Sequence, residues 1–180
     1  MQAPKLENVQ LTRASAASLR GLSACRSFTA NDLTLETLEG LGPVQDLSLW
    51  DCTFKSLSGV ESTVITELNL TSGTYSGLAA VGRIATLQKL KFNAQIPSEA
   101  VRELPPCPQI RALEIPGYAG SLAFLSAWTA LEELDLRNSG KLTDLDALAG
   151  LAALQKIRIR GAVIKKDSWP VALKGILDAK

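Results

Sequence analysis

The chain has 180 residues, of which 46% are hydrophobic and 21% are charged, so it is long and apolar enough to form a folded core. Nineteen basic and eighteen acidic residues leave a net charge of +1, which gives no overall attraction to nucleic acid or to an anionic membrane. No apolar run reaches the roughly 18 residues of a membrane span, and the first residues lack the pattern of a signal peptide. We therefore expect a cytoplasmic protein, although a secreted effector without its signal would look the same.

The cysteines and the absence of histidine argue against a catalytic or metal-binding protein. Cys25, Cys52 and Cys107 form neither a disulfide framework nor a CxxC metal motif. Cys25 and Cys52 are expected to be small buried hydrophobes, whereas Cys107 lies in the loop sequence PPCP and could be exposed. A nucleophilic cysteine would need an activating base, and the chain has no histidine. We predict no enzymatic activity, no cofactor and no metal.

The sequence consists of eight units of about 19 to 23 residues, each beginning with a strand-like segment. In every unit the first, fourth and sixth residues are apolar, a pattern that composition alone does not produce. A unit this short cannot bury its apolar residues by itself, so the units are expected to stack on one another. The units begin at Leu6, Cys25, Val44, Ile65, Leu87, Ile110, Leu131 and Leu154.

An apolar residue at every third position follows the strand-like segments, as at Leu142, Leu145 and Leu148. This spacing predicts short helical or 3₁₀ turns that lie behind a parallel sheet. Residues 98–104 are the one stretch with the pattern of a true α-helix, with Ser98 as its N-cap. Residues 168–179 are predicted to form a helix that caps the C-terminal end of the core.

The combined pattern, LxxLxL followed by LxxLxxL, closely resembles the leucine-rich repeat, in the short form seen in internalins and in a regulatory subunit of a protein phosphatase. The resemblance covers residues 6–164, and the short, single-domain format with alanine-rich repeats indicates a bacterial protein. It implies an α/β fold, a right-handed solenoid with its parallel β-sheet on the concave face and short helical or 3₁₀ turns on the convex face. We predict one domain over residues 1–180.

The sequence departs from the family at the ninth position of the repeat, where the family usually has an asparagine, or sometimes a cysteine, whose side chain bonds neighbouring backbone. We therefore expect the turns after the strands to be less uniform than in the family. The N-terminal edge also has little to cover it, so either the first repeat tolerates exposure, or a missing segment or a second subunit covers it. The ninth position holds Ala14, Leu33, Cys52, Gly73, Gln95, Tyr118, Ser139 and Ala162.

Because the apolar residues point into the core, the third, fifth and seventh residues of each unit are predicted to point to the opposite, concave face. Most of them are polar, and several neighbours have opposite charges. These charges either neutralise a crowded sheet or form a patterned surface for a charged partner. Arg137 and Arg160 have no acidic neighbour in their column and are better contact candidates. The predicted pairs are Glu67 with Lys89, Lys91 with Glu114, Glu133 with Lys156 and Asp135 with Arg158.

Trp50 is the most distinctive residue of the predicted concave face. A large aromatic ring among small polar groups is typical of an interface anchor, and the alternative is a ring that packs flat over neighbouring strands. The other predicted partner-binding residues are Asp46, Ser48, Asp51, Glu67, Asn69, Thr71, Lys89, Lys91, Asn93, Glu114, Asp135, Arg137, Arg158 and Arg160.

These features favour a non-catalytic module that binds another protein through its concave face, as a bacterial immunity or adaptor protein would. The alternative is the recognition domain of a larger bacterial effector whose catalytic domain lies outside this sequence. The basic residues Lys156, Arg158 and Arg160 stand beside acidic ones, which argues against nucleic acid as the partner, and no membrane partner is expected. Self-association through the N-terminal edge strand is a further hypothesis.

Overall fold

The computed structural model describes residues 7–13, 15–16, 19–93, 97–164 and 168–178. Most of the strands are short and follow one another at the intervals of the sequence repeat. The thirteen described strands are β1 (Asn8–Thr12), β2 (Ser15–Ala16), β3 (Ser27–Asn31), β4 (Thr34–Leu35), β5 (Asp46–Phe54), β6 (Glu67–Tyr75), β7 (Lys89–Phe92), β8 (Ala112–Glu114), β9 (Gly120–Ser121), β10 (Glu133–Asp135), β11 (Leu142–Thr143), β12 (Lys156–Arg158) and β13 (Leu177–Asp178).

The chain divides into two compact units, residues 1–87 and residues 88–180. In the first unit, the strand order is β1-β3-β5-β6, and all the pairings are parallel. The short strands β2 and β4 extend this sheet, with β4 also pairing with β5. In the second unit, the order β7-β8-β10-β12-β13 is again parallel, and β9 and β11 form a separate two-stranded ladder. That residues 1–180 form one domain stays a prediction.

The strand register matches the alignment of the repeats. Asn8 lies opposite Ser27, which lies opposite Asp46, and all three are third residues of their units. In the second unit, Glu133 lies between Ala112 and Lys156, again at the third position. The predicted columns of the polar face are therefore confirmed within each unit.

The core contains the apolar residues that define the repeat. From the second repeat onward, the first, fourth and sixth residues are all buried, as Phe28, Leu68 and Leu134 are. Burial of a leucine or phenylalanine side chain contributes about 1.5–3 kcal/mol, so the repeated pattern supplies most of the driving force for folding. In the first repeat, by contrast, Val9 and Leu11 are only partly buried.

Short 3₁₀ helices return the chain behind the strands, as the spacing of three predicts. They place residues such as Val60, Leu125 and Leu148 in the core. A 3₁₀ helix suits these segments because its three residues per turn keep every third side chain on one face. The 3₁₀ helices are Val60–Ser62, Leu78–Arg83, Ala123–Ala127, Leu145–Leu148 and Val171–Ile176.

Two predictions of helical segments need correction. The α-helix is shorter than predicted, Ser98–Arg102, and its N-cap is Pro97. The hydroxyl of Ser98 instead accepts a hydrogen bond from the backbone N–H of Ala119 at 3.0 Å. The helix predicted over residues 168–179 is also shorter, since it is the 3₁₀ helix Val171–Ile176, and β13 follows it and pairs with β12. Strand pairing satisfies the backbone groups at the edge of β12, which a helix does not do.

Candidate protein-binding face

We call the side of each sheet that bears the third, fifth and seventh residues of the repeats the polar face. On the polar face of the first unit, Trp50 lies in β5 between Asn31 of β3 and Thr71 of β6. Its side chain is 46% exposed although it is one of the largest on the chain. Leu49 and Cys52, close to it on the same strand, are buried. Trp50 thus does not belong to the core, and the prediction that it is exposed is confirmed.

The groups around Trp50 are polar and mostly uncharged. Ser48 of β5 lies opposite Asn69 of β6. The hydroxyl of Thr71 donates to the Oδ1 of Asn69 at 3.1 Å. Asp46 and Glu67 are exposed at the start of β5 and β6. Nearly half of Trp50 is exposed, and this part of the residue is available to a partner.

Acidic residues stand beside Trp50 at the end of the strands. Asp51 follows it directly and is exposed, and Asp32 occupies the same position in the preceding repeat. Asp32 makes a long ion pair of 3.7 Å with Arg13. A shallow depression lies at this end of the face and is lined by Thr12, Arg13, Asn31, Asp32 and Asp51.

The eighth position of the repeat, which holds Asp51, has a backbone signature that the sequence analysis missed. Every described residue at this position has a positive φ. Only glycine adopts this left-handed conformation without cost, and Asn and Asp are the next most tolerant. The enrichment of the column in Asp, Asn and Gly was the signal that could have found it. The residues and their φ values are Arg13 at 51°, Asp32 at 53°, Asp51 at 51°, Ser72 at 47°, Gly117 at 76°, Asn138 at 58° and Gly161 at 73°.

On the polar face of the second unit, a lysine pair surrounds one carboxylate. The Nζ of Lys89 lies 3.0 Å from Glu114 Oε1, whereas Lys91, the predicted partner of Glu114, lies at 3.9 Å. All three side chains are partly buried. Asn93, at the end of the same strand region, is also partly buried.

In the other two charge pairs predicted for this unit, the basic residues contact different acidic residues from those predicted. Arg158 pairs with Glu133 at 2.8 Å rather than with Asp135. Lys156 lies 3.6 Å from Asp178 on the C-terminal strand rather than pairing with Glu133. Long side chains can reach diagonal as well as direct neighbours in a sheet, so alignment in columns does not decide which charges meet.

Asp135 was predicted to face a partner, but its exposure is only 1%. Its carboxylate accepts hydrogen bonds from the backbone N–H and the guanidinium of Arg137, with Arg137 Nη2 at 2.8 Å from Oδ2. This contact raises the pKa of Arg137. The prediction that Asp135 contacts a partner directly is therefore corrected. The Arg137 guanidinium is held in place by the Asp135 carboxylate. Arg160 is exposed and makes no ion pair among the described residues.

The described residues include no group of Cys, Asp and Glu side chains that could hold a metal ion. Burial raises the pKa of the Cys52 thiol and raises the pKa of Cys107 to about 12. Both thiols are therefore protonated near neutral pH, and the prediction that Cys107 could be exposed is wrong. Within the part of the chain that the structure describes, no helix is long and apolar enough to cross a membrane.

The comparison with solved structures identifies the architecture. The structure of internalin C2 from Listeria monocytogenes matches 97% of this chain and 80% of its own length, with a TM-score of 0.68 and 18% sequence identity. The fold is that of a leucine-rich-repeat protein. The internalin inlF structure from the same organism matches 90% of this chain and 56% of its own length, with a TM-score of 0.62 and 12% identity. No protein-family model matches the sequence, and no curated protein does.

The leucine-rich-repeat fold explains why the sequence alternates as it does. In each unit, the strands expose alternate residues on the polar face, and the 3₁₀ segments close the opposite side. Side chains on the polar face therefore vary without affecting the core, which is the property that suits such a sheet to recognition.

Proposed function

We propose that this leucine-rich-repeat chain binds another protein through the polar face of its sheet, with Trp50 as an anchor. The observation that supports the proposal most strongly is the exposure of the indole on a strand whose apolar neighbours are all buried. Tryptophan is enriched among the residues that contribute most to protein interfaces because it offers a large rigid surface. The internalin-like fold supports the same class of function.

The charges near Trp50 suggest the chemistry of the segment it meets. The third, fifth and seventh residues of the described repeats in the first unit include Asp46 and Glu67 but no lysine or arginine. Asp51, which follows Trp50 in the chain, adds an exposed carboxylate. A cationic side chain is attracted both to the face of an indole and to nearby carboxylates, so the partner segment is expected to carry lysine or arginine.

We further propose that the protein acts in the cytoplasm as a bacterial immunity or adaptor protein. A second candidate is the recognition domain of a larger bacterial effector. It is supported by the internalin inlF structure, of which this chain matches only 56%. Both candidates use the same polar face, so they differ in the gene product and its location rather than in the binding residues.

The test is affinity capture from the source organism with the full chain and two variants. Val64 is a matched control for Trp50 because it is also an exposed large apolar residue in the first unit but lies outside the strands. Proteins retained by the wild type and by Val64→Ala should be lost with Trp50→Ala. With the purified partner, Trp50→Ala should weaken binding by about 2 kcal/mol or more in calorimetry.

Two further measurements separate recognition from folding. Trp50→Ala should leave the melting temperature nearly unchanged, and a large decrease would mean that the ring stabilises the fold instead. Asp51→Asn should weaken binding less in high salt than in low salt if the partner segment is basic. Identical binding by the wild type and Trp50→Ala would contradict the proposal.

A further inference from the structure

Among the described strands of the first unit, β1 (Asn8–Thr12) lies at the edge of the sheet. It pairs with β3 on one side, and no other described strand pairs with it. Its core-facing residues Val9 and Leu11 are only partly buried, whereas their counterparts in β3, Phe28 and Ala30, are fully buried. An edge of this kind exposes both apolar side chains and backbone hydrogen-bonding groups.

The residues of β1 lack the features that usually protect a free edge. Natural sheets place charged residues, prolines or bulges on edge strands to prevent pairing with another chain. The sequence of β1 is NVQLT, which has no charge and no proline, and its pairing with β3 is continuous over five residues. The strand is thus suited to accept another strand.

The backbone hydrogen bonds show which groups of β1 are available. The C=O of Glu7 accepts from the N–H of Ser27, and the N–H of Arg13 donates to the C=O of Asn31. Because successive residues of a strand direct their backbone groups to opposite sides, the odd-numbered residues of β1 bind β3. The N–H and C=O groups of Asn8, Gln10 and Thr12 therefore point away from the sheet.

We propose that a second copy of this chain pairs with β1 as an antiparallel strand centred on Gln10. This register places Gln10 opposite Gln10 of the second copy, and Asn8 opposite Thr12. These are the residues whose backbone groups point outward, so the opposed residues exchange both of their hydrogen bonds. Val9 then lies opposite Leu11 of the second copy in the closer, non-hydrogen-bonded pair, which covers the partly exposed apolar side chains of both copies.

The charges flanking β1 are complementary in this register. Glu7 is exposed just before the strand and Arg13 just after it. Antiparallel pairing about Gln10 brings Glu7 of each copy to Arg13 of the other, so opposite charges meet at both ends. The Arg13 side chain is 84% exposed and only loosely held by Asp32, so most of it is available for this contact.

The complementarity favours a second copy over an unrelated strand. A twofold axis through Gln10 pairs the outward backbone groups of both copies, covers their apolar residues and brings their opposite flanking charges together. Such an interface is isologous, meaning that the same residues are used by each subunit. One strand pair buries little area, so we expect a weak dimer whose population depends on concentration.

Charge reversal tests the proposed register. The full chain should dimerise in sedimentation-equilibrium measurements from low micromolar to near-millimolar concentration. Glu7→Arg and Arg13→Glu should each weaken the dimer by about tenfold or more, because like charges then meet at both ends. The double variant should restore dimerisation, and an equimolar mixture of the two single variants should form a mixed dimer.

A second variant and an exchange measurement keep the test independent of these charges. Gln10→Pro removes an outward N–H that does not bind β3, so it should abolish the dimer while the circular dichroism spectrum is retained. Amide exchange at Asn8, Gln10 and Thr12 should slow with increasing concentration, while exchange at Val9 and Leu11 should not change.

Several outcomes would overturn the proposal. They are a monomer at every concentration, a dimer that survives Gln10→Pro, or single charge reversals that the double variant does not rescue. Trp50→Ala should not affect the dimer, and Glu7→Arg, which changes a residue outside the polar face as defined above, should not affect capture of the partner. Failure of the dimer and failure of the proposed protein-binding function can therefore be told apart.

Discussion

Arg137 binds the carboxylate of Asp135, two residues before it on the same stretch of chain, with Nε and Nη2 each 2.8 Å from Oδ2. The backbone N–H of Arg137 donates to Oδ1 of the same carboxylate at 3.0 Å. Asp135 is buried, whereas half of the Arg137 side chain is exposed. Arg137 therefore neutralises the buried Asp135 carboxylate on the polar face of the sheet. The carboxylate in turn fixes the direction of the guanidinium.

We expect Arg137→Ala to lower the free energy of unfolding by about 1–3 kcal/mol, because it removes charged hydrogen bonds from a buried carboxylate. Arg160 is the matched control, since it occupies the same position in the next repeat and makes no ion pair among the described residues. Arg160→Ala should change the stability by less than about 0.5 kcal/mol. Urea denaturation of both variants measures the difference, and equal effects would show that the Asp135 contact does not stabilise the fold.

The ninth position of the repeat provides a second pair of substitutions. The Ser139 hydroxyl is fully buried and has no hydrogen-bond partner among the described residues, whereas the Tyr118 hydroxyl donates to the C=O of Ser121 at 2.6 Å. Ser139→Ala should raise the free energy of unfolding by about 1 kcal/mol, because it removes an unsatisfied polar group. Tyr118→Phe should lower it by a similar amount. Thermal denaturation shows whether each variant is more or less stable than the wild type. Destabilisation by Ser139→Ala would mean that a water molecule forms a hydrogen bond with the hydroxyl.

Leu134 tests the repeat register itself. Its side chain is fully buried at the fourth position of its unit. Leu134→Ala should cost about 2–5 kcal/mol, because the surrounding strands cannot close the cavity completely. Glu133→Ala, one residue earlier on the polar face, is the control and should cost much less. A nearly neutral Leu134→Ala in chemical denaturation would contradict the assignment of this position to the core.

The three cysteines should be unreactive in the native protein. Cys25, Cys52 and Cys107 are all free and buried. Burial also raises the pKa of Cys52 and of Cys107, which lowers the fraction of reactive thiolate. We expect little labelling by a thiol reagent at pH 8 until the protein is denatured, when all three should react. Rapid labelling of one thiol in the native state would show that its part of the fold opens readily.

The repeat could be predicted from the sequence because it depends on a local and periodic property. Stacked units require apolar residues at the same positions in every copy, so Leu68 and Leu134 are recognisable without coordinates. The same periodicity predicts that Trp50 lies on the exposed side of its strand, and the structure confirms this exposure. Periodicity does not predict the burial of Cys107, because the loop sequence PPCP contains no periodic signal.

The sequence by itself determined the strand register, the 3₁₀ segments and which side chains share the polar face, because all of these follow from the alternation of apolar and polar residues along the chain. Only the tertiary structure decided which charges meet, that Asp135 is buried by Arg137 and that β13 rather than a helix pairs with β12. The choice among several charged neighbours depends on the reach and direction of long side chains, and neither is encoded in periodicity.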